Sequence, residues 1–377
     1  MFPFISILIK FMVFLPGVTG EGSTEHAAAR FVKADSVMPV KVRASASAFG
    51  PADKMVLLLS VDELSRARVA TKGTLGFSQK GRMITAWYFP GTSDQKALVI
   101  GGMHGSELSS IAVGEELIRQ LQHTQPYYSV IIIPCLFPDN AEAARNQRAR
   151  IGSVHNTGRY SHPAAADPNR QMPSLGKAFD PELPLDHMGR TIEQENQLLL
   201  TLIAQFRPNR IANIHAIRDA AHAGIYADPR TNSKGIALGF ATDSSLAVDM
   251  AMHIAMQGGM VPGNRVHTKP TALYYKDPEA AVAGQLQKRN TCGSKLPLNR
   301  GQGISLGGWA STSVEDTTNS ASNRPAMRLI TIEFPGYKAP ADYTDEAQQL
   351  HYAKQVDLYA AAIVHIFLGQ HYPENHR

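Results

Sequence analysis

Short apolar runs, each followed by a stretch with helical spacing, set the grain of this chain. Met83 to Phe89 and Leu98 to Gly101 predict strands, and Tyr128 to Pro134, with three consecutive isoleucines, predicts a strand buried on both faces. Between them, Ser109 to Leu121 carries Ile111, Leu117, Ile118 and Leu121 on one face, the spacing of an amphipathic helix. Gln194 to Phe206, Asp243 to Gln257 and Thr344 to Leu368 predict further helices, and two more short apolar runs, Arg210 to Ala216 and Arg328 to Pro335, predict strands. Strands alternating with helices build a mixed sheet flanked by helices, an α/β fold.

Four stretches break the pattern. Residues 21–52 are rich in Gly, Ser, Ala, Pro and Asp, without periodicity, and predict a loosely ordered linker. Residues 140–190 hold many Arg, Asn, His, Pro and Gly and predict a long irregular excursion. A loop of that length inside a compact domain is usually functional, as a substrate-binding loop would be. Ala223 to Gly235 predicts a polar loop, and Gly301 to Ser313 a glycine-rich one around Trp309.

With 44% hydrophobic and 18% charged residues over 377 positions, the chain can bury a large core. A net charge of +5, with no basic run interleaved with aromatics, does not suggest a nucleic-acid partner. Met1 to Gly20 is largely apolar, but Lys10 splits it into two eight-residue stretches too short to span a bilayer. Ending in Val18-Thr19-Gly20, it reads as a secretory signal and predicts an exported, periplasmic or secreted protein without a stable membrane span. Cys135 and Cys292 would then meet an oxidising compartment, though two thiols in so long a chain read as separate and buried.

The candidate chemistry lies at strand ends. His104-Gly105-Ser106-Glu107 follows the run Ala97 to Ile100 and the pair Gly101-Gly102, so an imidazole and a carboxylate three residues apart sit on the turn where a buried strand stops and can converge on one cation. His215 ends a second apolar run and supplies a third ligand. Three protein ligands leave a fourth position for water, the arithmetic of a catalytic zinc. Glu333 ends a third run, where burying an unpaired acid is costly unless it has a task. The other histidines lack ligand spacing; His222, seven residues after His215, is the one candidate for the same cleft. No phosphate loop and no Gly-x-Ser-x-Gly elbow is present.

In their order along the chain these boxes resemble the zinc carboxypeptidase family, the carboxypeptidase A-like metallopeptidases, over roughly residues 70 to 370. Gly76 to Arg82 resembles the opening hairpin, His104 and Glu107 the His-x-x-Glu ligand pair, and Phe137-Pro138-Asp139-Asn140 the Asn-Pro-Asp-Gly turn. Asp167-Pro168-Asn169-Arg170 is similar to the Asp-Leu-Asn-Arg box, His215 to the third ligand and Glu333 to the general base. The resemblance implies a single-domain α/β fold with a mixed eight-stranded sheet. Residues 1–20 would be a signal peptide, 21–70 a leading segment and 71–370 the catalytic domain.

It implies one Zn²⁺ per chain on His104, Glu107 and His215, with Glu333 as base, and Asn169 and Arg170 holding the free C-terminal carboxylate of a small peptide substrate. The arginine that polarises the scissile carbonyl falls among Arg145, Arg148 and Arg150, with Arg148 first and Arg145 second. The aromatic that closes over substrate has no assigned counterpart among Tyr274, Tyr275 and Trp309. The chain departs from the family's boxes at Phe137, Asn140, Pro168 and Gln171-Met172-Pro173. Exported members of this family without extra domains often trim cell-wall peptides. A zinc deacylase of the succinylglutamate desuccinylase and aspartoacylase kind would use the same triad and glutamate on N-acyl amino acids.

Overall fold

Alternation along the central strands sends side chains into two separate apolar layers. The computed structural model describes residues 38–39, 57–153, 157–264 and 300–370, and the architecture is that of the unit Ser36–Arg377. In β4 (Lys96–Ile100), Ala97 and Val99 enter one layer and Leu98 and Ile100 the other; in β5 (Ser129–Ile133), Val130 and Ile132 separate from Ile131 and Ile133 in the same way. Such strands need cover on both faces. The first layer is closed by α2 (Leu108–Leu121), α5 (Phe240–Met256) and α7 (Glu346–Ala362), the second by α1 (Val61–Arg66), α4 (Gln194–Phe206) and α6 (Leu306–Ala310).

One eight-stranded sheet results. With β1 (Met38–Pro39), β2 (Thr71–Phe77), β3 (Met83–Phe89), β6 (Arg210–Ile217), β7 (Gly224–Asp228) and β8 (Arg328–Pro335), its order is β1-β2-β3-β5-β4-β6-β8-β7. The strands β5, β4, β6 and β8 run parallel, β3 and β7 pair antiparallel with their neighbours, and the sheet is therefore mixed. After β4 the chain moves outward to β5, and after β6 it moves the other way. The C-terminal ends of β4 and β6 thus flank the topological switch point, where open α/β sheets bind ligands.

Several expectations are corrected. The irregular excursion over 140–190 begins inside a helix, α3 (Pro138–Arg145), which Pro138 opens at its first turn, where a missing N–H costs nothing. The polar loop over 223–235 holds strand β7, and the glycine-rich loop around Trp309 holds α6, whose N-cap Ser305 accepts from the Gly308 N–H at 3.1 Å. Both were illegible because neither has a continuous apolar run: β7 is an edge strand half-buried over Tyr226–Asp228, and two of the five residues of α6 are glycines. The leading segment contains α1, with Val61 and Leu64 buried. The closing helix ends as a turn of π-helix over Ile363–Phe367. Met1 to Gly20, residues 21–37 and 40–56, Tyr274, Tyr275 and Cys292 lie outside the described residues, among which no helix is long and apolar enough to cross a membrane. Cys135 is half-buried and free.

Glu195, in the first turn of α4, is almost fully buried, with its Oε1 accepting from the Gln79 N–H at 3.1 Å and its Oε2 without a partner among the described residues. Burial pushes its carboxyl from 4.5 up to about 7. The folded chain therefore keeps a proton there that the unfolded chain releases, and stability falls as pH rises from about 4.5 through about 7. Glu195→Gln, which cannot ionise, should flatten that decline and raise stability at pH 8 by roughly 1–3 kcal/mol. Chemical denaturation at pH 5 and pH 8 checks this; an unchanged slope between them would remove Glu195 as its cause.

Candidate metal centre

Two glycines let the β4 strand end turn sharply. Gly102 has φ 61°, and a Cβ on Gly105 would lie 2.2 Å from the Ala141 backbone nitrogen, so neither position accepts a side chain without displacement. The turn closes through the Glu107 N–H to the His104 carbonyl at 3.0 Å, and Glu107 then caps α2. His104 and Glu107 are consequently held over the end of β4, buried at 4% and 2% exposure.

Register brings up the rest. Asn213 pairs with Thr331 and His215 with Glu333 across the parallel strands β6 and β8, and the two-residue period places all four side chains on the α4 face of the sheet. Ligand atoms of His104, Glu107 and His215 all lie within 4.8 Å of one another. His104 Nδ1 is 2.8 Å from Glu107 Oε1, and His215 Nδ1 is 3.1 Å from Glu107 Oε2. One carboxylate thus lies between two imidazole nitrogens, a donor set suited to a divalent cation such as zinc.

The outward nitrogens decide whether those Nδ1 atoms are free to ligate. His104 Nε2 is 2.8 Å from Asp167 Oδ1, so its N–H donates to a carboxylate and leaves Nδ1 with its lone pair toward the cluster. His215 Nε2 lies 2.9 Å from the Asn213 amide and 3.2 Å from that of Asn169. Asn169 Oδ1 is committed to the Leu306 N–H at 2.9 Å, whereas Asn213 Oδ1 is a buried acceptor without a partner. Amide orientation is an assignment, and turning the Asn213 amide gives His215 Nε2–H its acceptor. The residues fit a metal ion.

Arg159 completes the charge balance: it donates to Glu107 Oε1 at 3.2 Å and to Asp167 Oδ2 at 2.9 Å. Burial alone would raise both carboxyls and lower His104. The charges outweigh it, holding Glu107 and Asp167 well below the usual carboxylate range and raising His104 to about 9. Glu333 is different. Burial and the Glu107 charge raise its carboxyl against the pull of His215, His104 and Arg159, and it accepts no hydrogen bond from a described residue.

Asp167 also caps the turn Pro168–Arg170, accepting from the Asn169 N–H at 2.9 Å, while Asn196 of α4 donates to the Pro168 carbonyl at 2.8 Å. Asn169 therefore meets the cluster at His215, and Arg170 follows it, its Nη1 donating to the Asn169 carbonyl at 2.6 Å.

The arginines expected to face the scissile carbonyl lie elsewhere. Arg145 is exposed at the end of α3, and Arg148 has 67% of its side chain exposed, 3.7 Å from Asp342. Arg159 reaches the cluster instead; spacing could not single it out, because its approach depends on the fold of the excursion. His222 is exposed and pairs with Asp219 at 3.0 Å, outside the cluster. Trp309 is buried and donates to the Lys177 carbonyl at 2.8 Å. Tyr337, four residues after Glu333, lies near the cluster, and burial, Glu107 and Glu333 push its phenol up while Arg159 and Arg218 pull it down.

No family model and no curated protein matches the chain. Among solved structures it is similar to a metallo-carboxypeptidase from Burkholderia cenocepacia, at 16% identity and TM-score 0.41, over 81% of this chain and 66% of that one. It is similar to carboxypeptidase A from Helicoverpa armigera at 14% identity and TM-score 0.42, covering 81% and 71% of the two chains. It is also similar to a murein-tripeptide amidase from Escherichia coli O157 at 16% identity and TM-score 0.36, covering 76% and 91%. The chain thus spans slightly under two thirds of the Burkholderia enzyme's length.

Protein purified without chelator should carry close to one divalent ion per chain by metal analysis, and His215→Ala should lose it. Asn213→Ala should weaken metal affinity by roughly 10- to 100-fold, the usual cost of losing a group that orients a ligand. Affinity equal to wild type in a chelator competition would show that Asn213 does not hold His215.

Proposed function

We propose that the chain is a zinc-dependent carboxypeptidase that hydrolyses the last peptide bond of small peptides with a free C-terminal carboxylate, those derived from peptidoglycan above all. The observation that supports this reading is the buried His104, Glu107 and His215 cluster with Glu333 in register beside it on β8. Export through the apolar Met1 to Gly20 belongs to the same proposal.

A zinc ion on those three side chains would supply a water acidified toward a pKa of about 7 and a Lewis acid for the carbonyl. Glu333 takes the proton of the attacking water on its carboxylate and returns it to the leaving amine; its raised pKa brings it closer to the pH of the reaction. Arg159, already directed into the cluster, supplies N–H donors toward the developing oxyanion, the role expected of Arg148 or Arg145. Such a donor is typically worth about 3–4 kcal/mol.

Arg170 and Asn169 carry the specificity. A guanidinium fork matches a carboxylate bidentately and would set the substrate's end at a fixed distance from the metal cluster, so that one C-terminal residue is released at a time.

Glu333→Gln keeps the shape and removes the base. Turnover should fall by ~10² or more while metal content stays at the wild-type level. Near-normal turnover would assign the proton transfer to another group.

A panel of cell-wall tri- and tetrapeptides, ordinary L-peptides and N-acyl amino acids, read by product mass, tests the substrate class. Cell-wall peptides should be cleaved, and amidation of their C-terminus should abolish cleavage. Preference for N-acetyl or N-succinyl amino acids would instead make the chain a deacylase with the same metal chemistry.

A further inference from the structure

One cavity among the described residues is remote from the metal centre. A cavity of about 780 Å³ lies at the opposite end of the parallel strands, lined by Asn209 just before β6 and by Met327 just before β8. His215 is six residues along β6 from Asn209, so at a rise of ~3.3 Å per residue the two sites are about 20 Å apart. The volume is in the range of small-molecule sites.

Part of its wall is apolar: Ile203 from α4, Trp309 from α6 and Met327 are buried, with Phe179 half-buried beside them. Its charge is cationic. Arg207, Arg230 and Arg324 line it against the single carboxylate of Glu315, which the Ser233 and Ser313 hydroxyls already engage at 2.8 and 2.9 Å. Arg230 is committed to Asp243 at 2.7 Å. Arg324 has no acidic partner among the described residues.

The placement of Arg324 gives the cavity its chemistry. Its guanidinium stacks on the Trp309 ring at 4.2 Å. Nη1 donates to the carbonyls of Ala310 at 3.2 Å, Thr312 at 3.0 Å and Pro325 at 3.4 Å, and Nη2 to that of Trp309 at 2.9 Å. Of five N–H donors, Nε–H and one on Nη2 keep no acceptor among the described residues, and these belong to adjacent nitrogens, the fork that a carboxylate matches. Arg324 is half-buried, and partial desolvation of a cation without a counter-charge is unfavourable, so a bound anion offsets that cost.

We infer that this cavity is a second ligand site, taking a small monocarboxylate with an aromatic or branched apolar body: the carboxylate on the free edge of Arg324, the body against Trp309, Phe179 and Ile203. The site is separate from the metal cluster and does not depend on the function proposed for it.

Calorimetric titration with 2-naphthoate, and with its neutral amide as control, tests the inference. The acid should bind saturably with Kd of about 1 mM or tighter, and the amide at least tenfold more weakly, since a charge-assisted pair contributes ~1.5–3 kcal/mol. Arg324→Gln should lose tenfold or more. Because Arg324 also ties four carbonyls, Ala204→Phe gives an independent variant: Ala204 lines the cavity from the exposed side of α4, and the added ring occupies the space while Arg324 stays intact. It should weaken binding by at least tenfold, whereas His215→Ala should leave it unchanged. Equal affinity for acid and amide, binding insensitive to Ala204→Phe, or no saturable binding by the wild type would each overturn the assignment.

Discussion

A buried carboxylate, Glu107, is the interaction on which the rest of the site depends. At 2% exposure it would be costly alone, and the surrounding structure reads as the set of positive and hydrogen-bonding partners that make it tolerable. It meets His104, His215, the Ala216 N–H at 3.0 Å and Arg159, which between them come from the β4 turn, the end of β6 and the excursion beyond α3. Asp167 repeats the arrangement one layer out, joining His104 and Arg159 to the turn that carries Asn169 and Arg170. Removing one partner leaves an uncompensated charge, so the network holds its geometry as a unit.

The sheet supplies the platform for that network. Because β4, β6 and β8 are parallel and buried on both faces, their C-terminal ends open side by side, and His215 and Glu333 stand on neighbouring strands with no loop between them. Groups that must keep their separation during a proton transfer are better placed on strands than on loops. Asn169, Arg170 and Arg159 come from the excursion instead, held down by Asn196 and Leu306. Opposite ends of the same strands thus carry different chemistry: a charged cluster above, and below it a partly apolar cavity edged by Arg324.

The sequence by itself determined the long elements and the residues whose position follows from a strand end. Met83–Phe89 and Gln194–Phe206 are observed with the bounds their periodicity predicts, because each has enough residues for one face to be apolar against the other. His104, Glu107, His215 and Glu333 were legible because polar groups that stop a buried apolar run are conspicuous. The short elements β7 and α6 were not, since neither has the continuous apolar run that marks the equally short β4 and β5. Tertiary structure alone decided the remainder. Four arginines lie between Arg145 and Arg159, chemically alike, and only the path of the chain through residues 140–190 brings Arg159 onto Glu107 while leaving Arg148 beside Asp342. Asn213 lay inside an apolar run with nothing to mark it until the register of β6 set its amide under His215. The reason is common to all of these: local sequence fixes what is periodic along the chain, while an ion pair or an oriented imidazole depends on which distant side chain arrives within about 3 Å, a distance that only the packed fold sets.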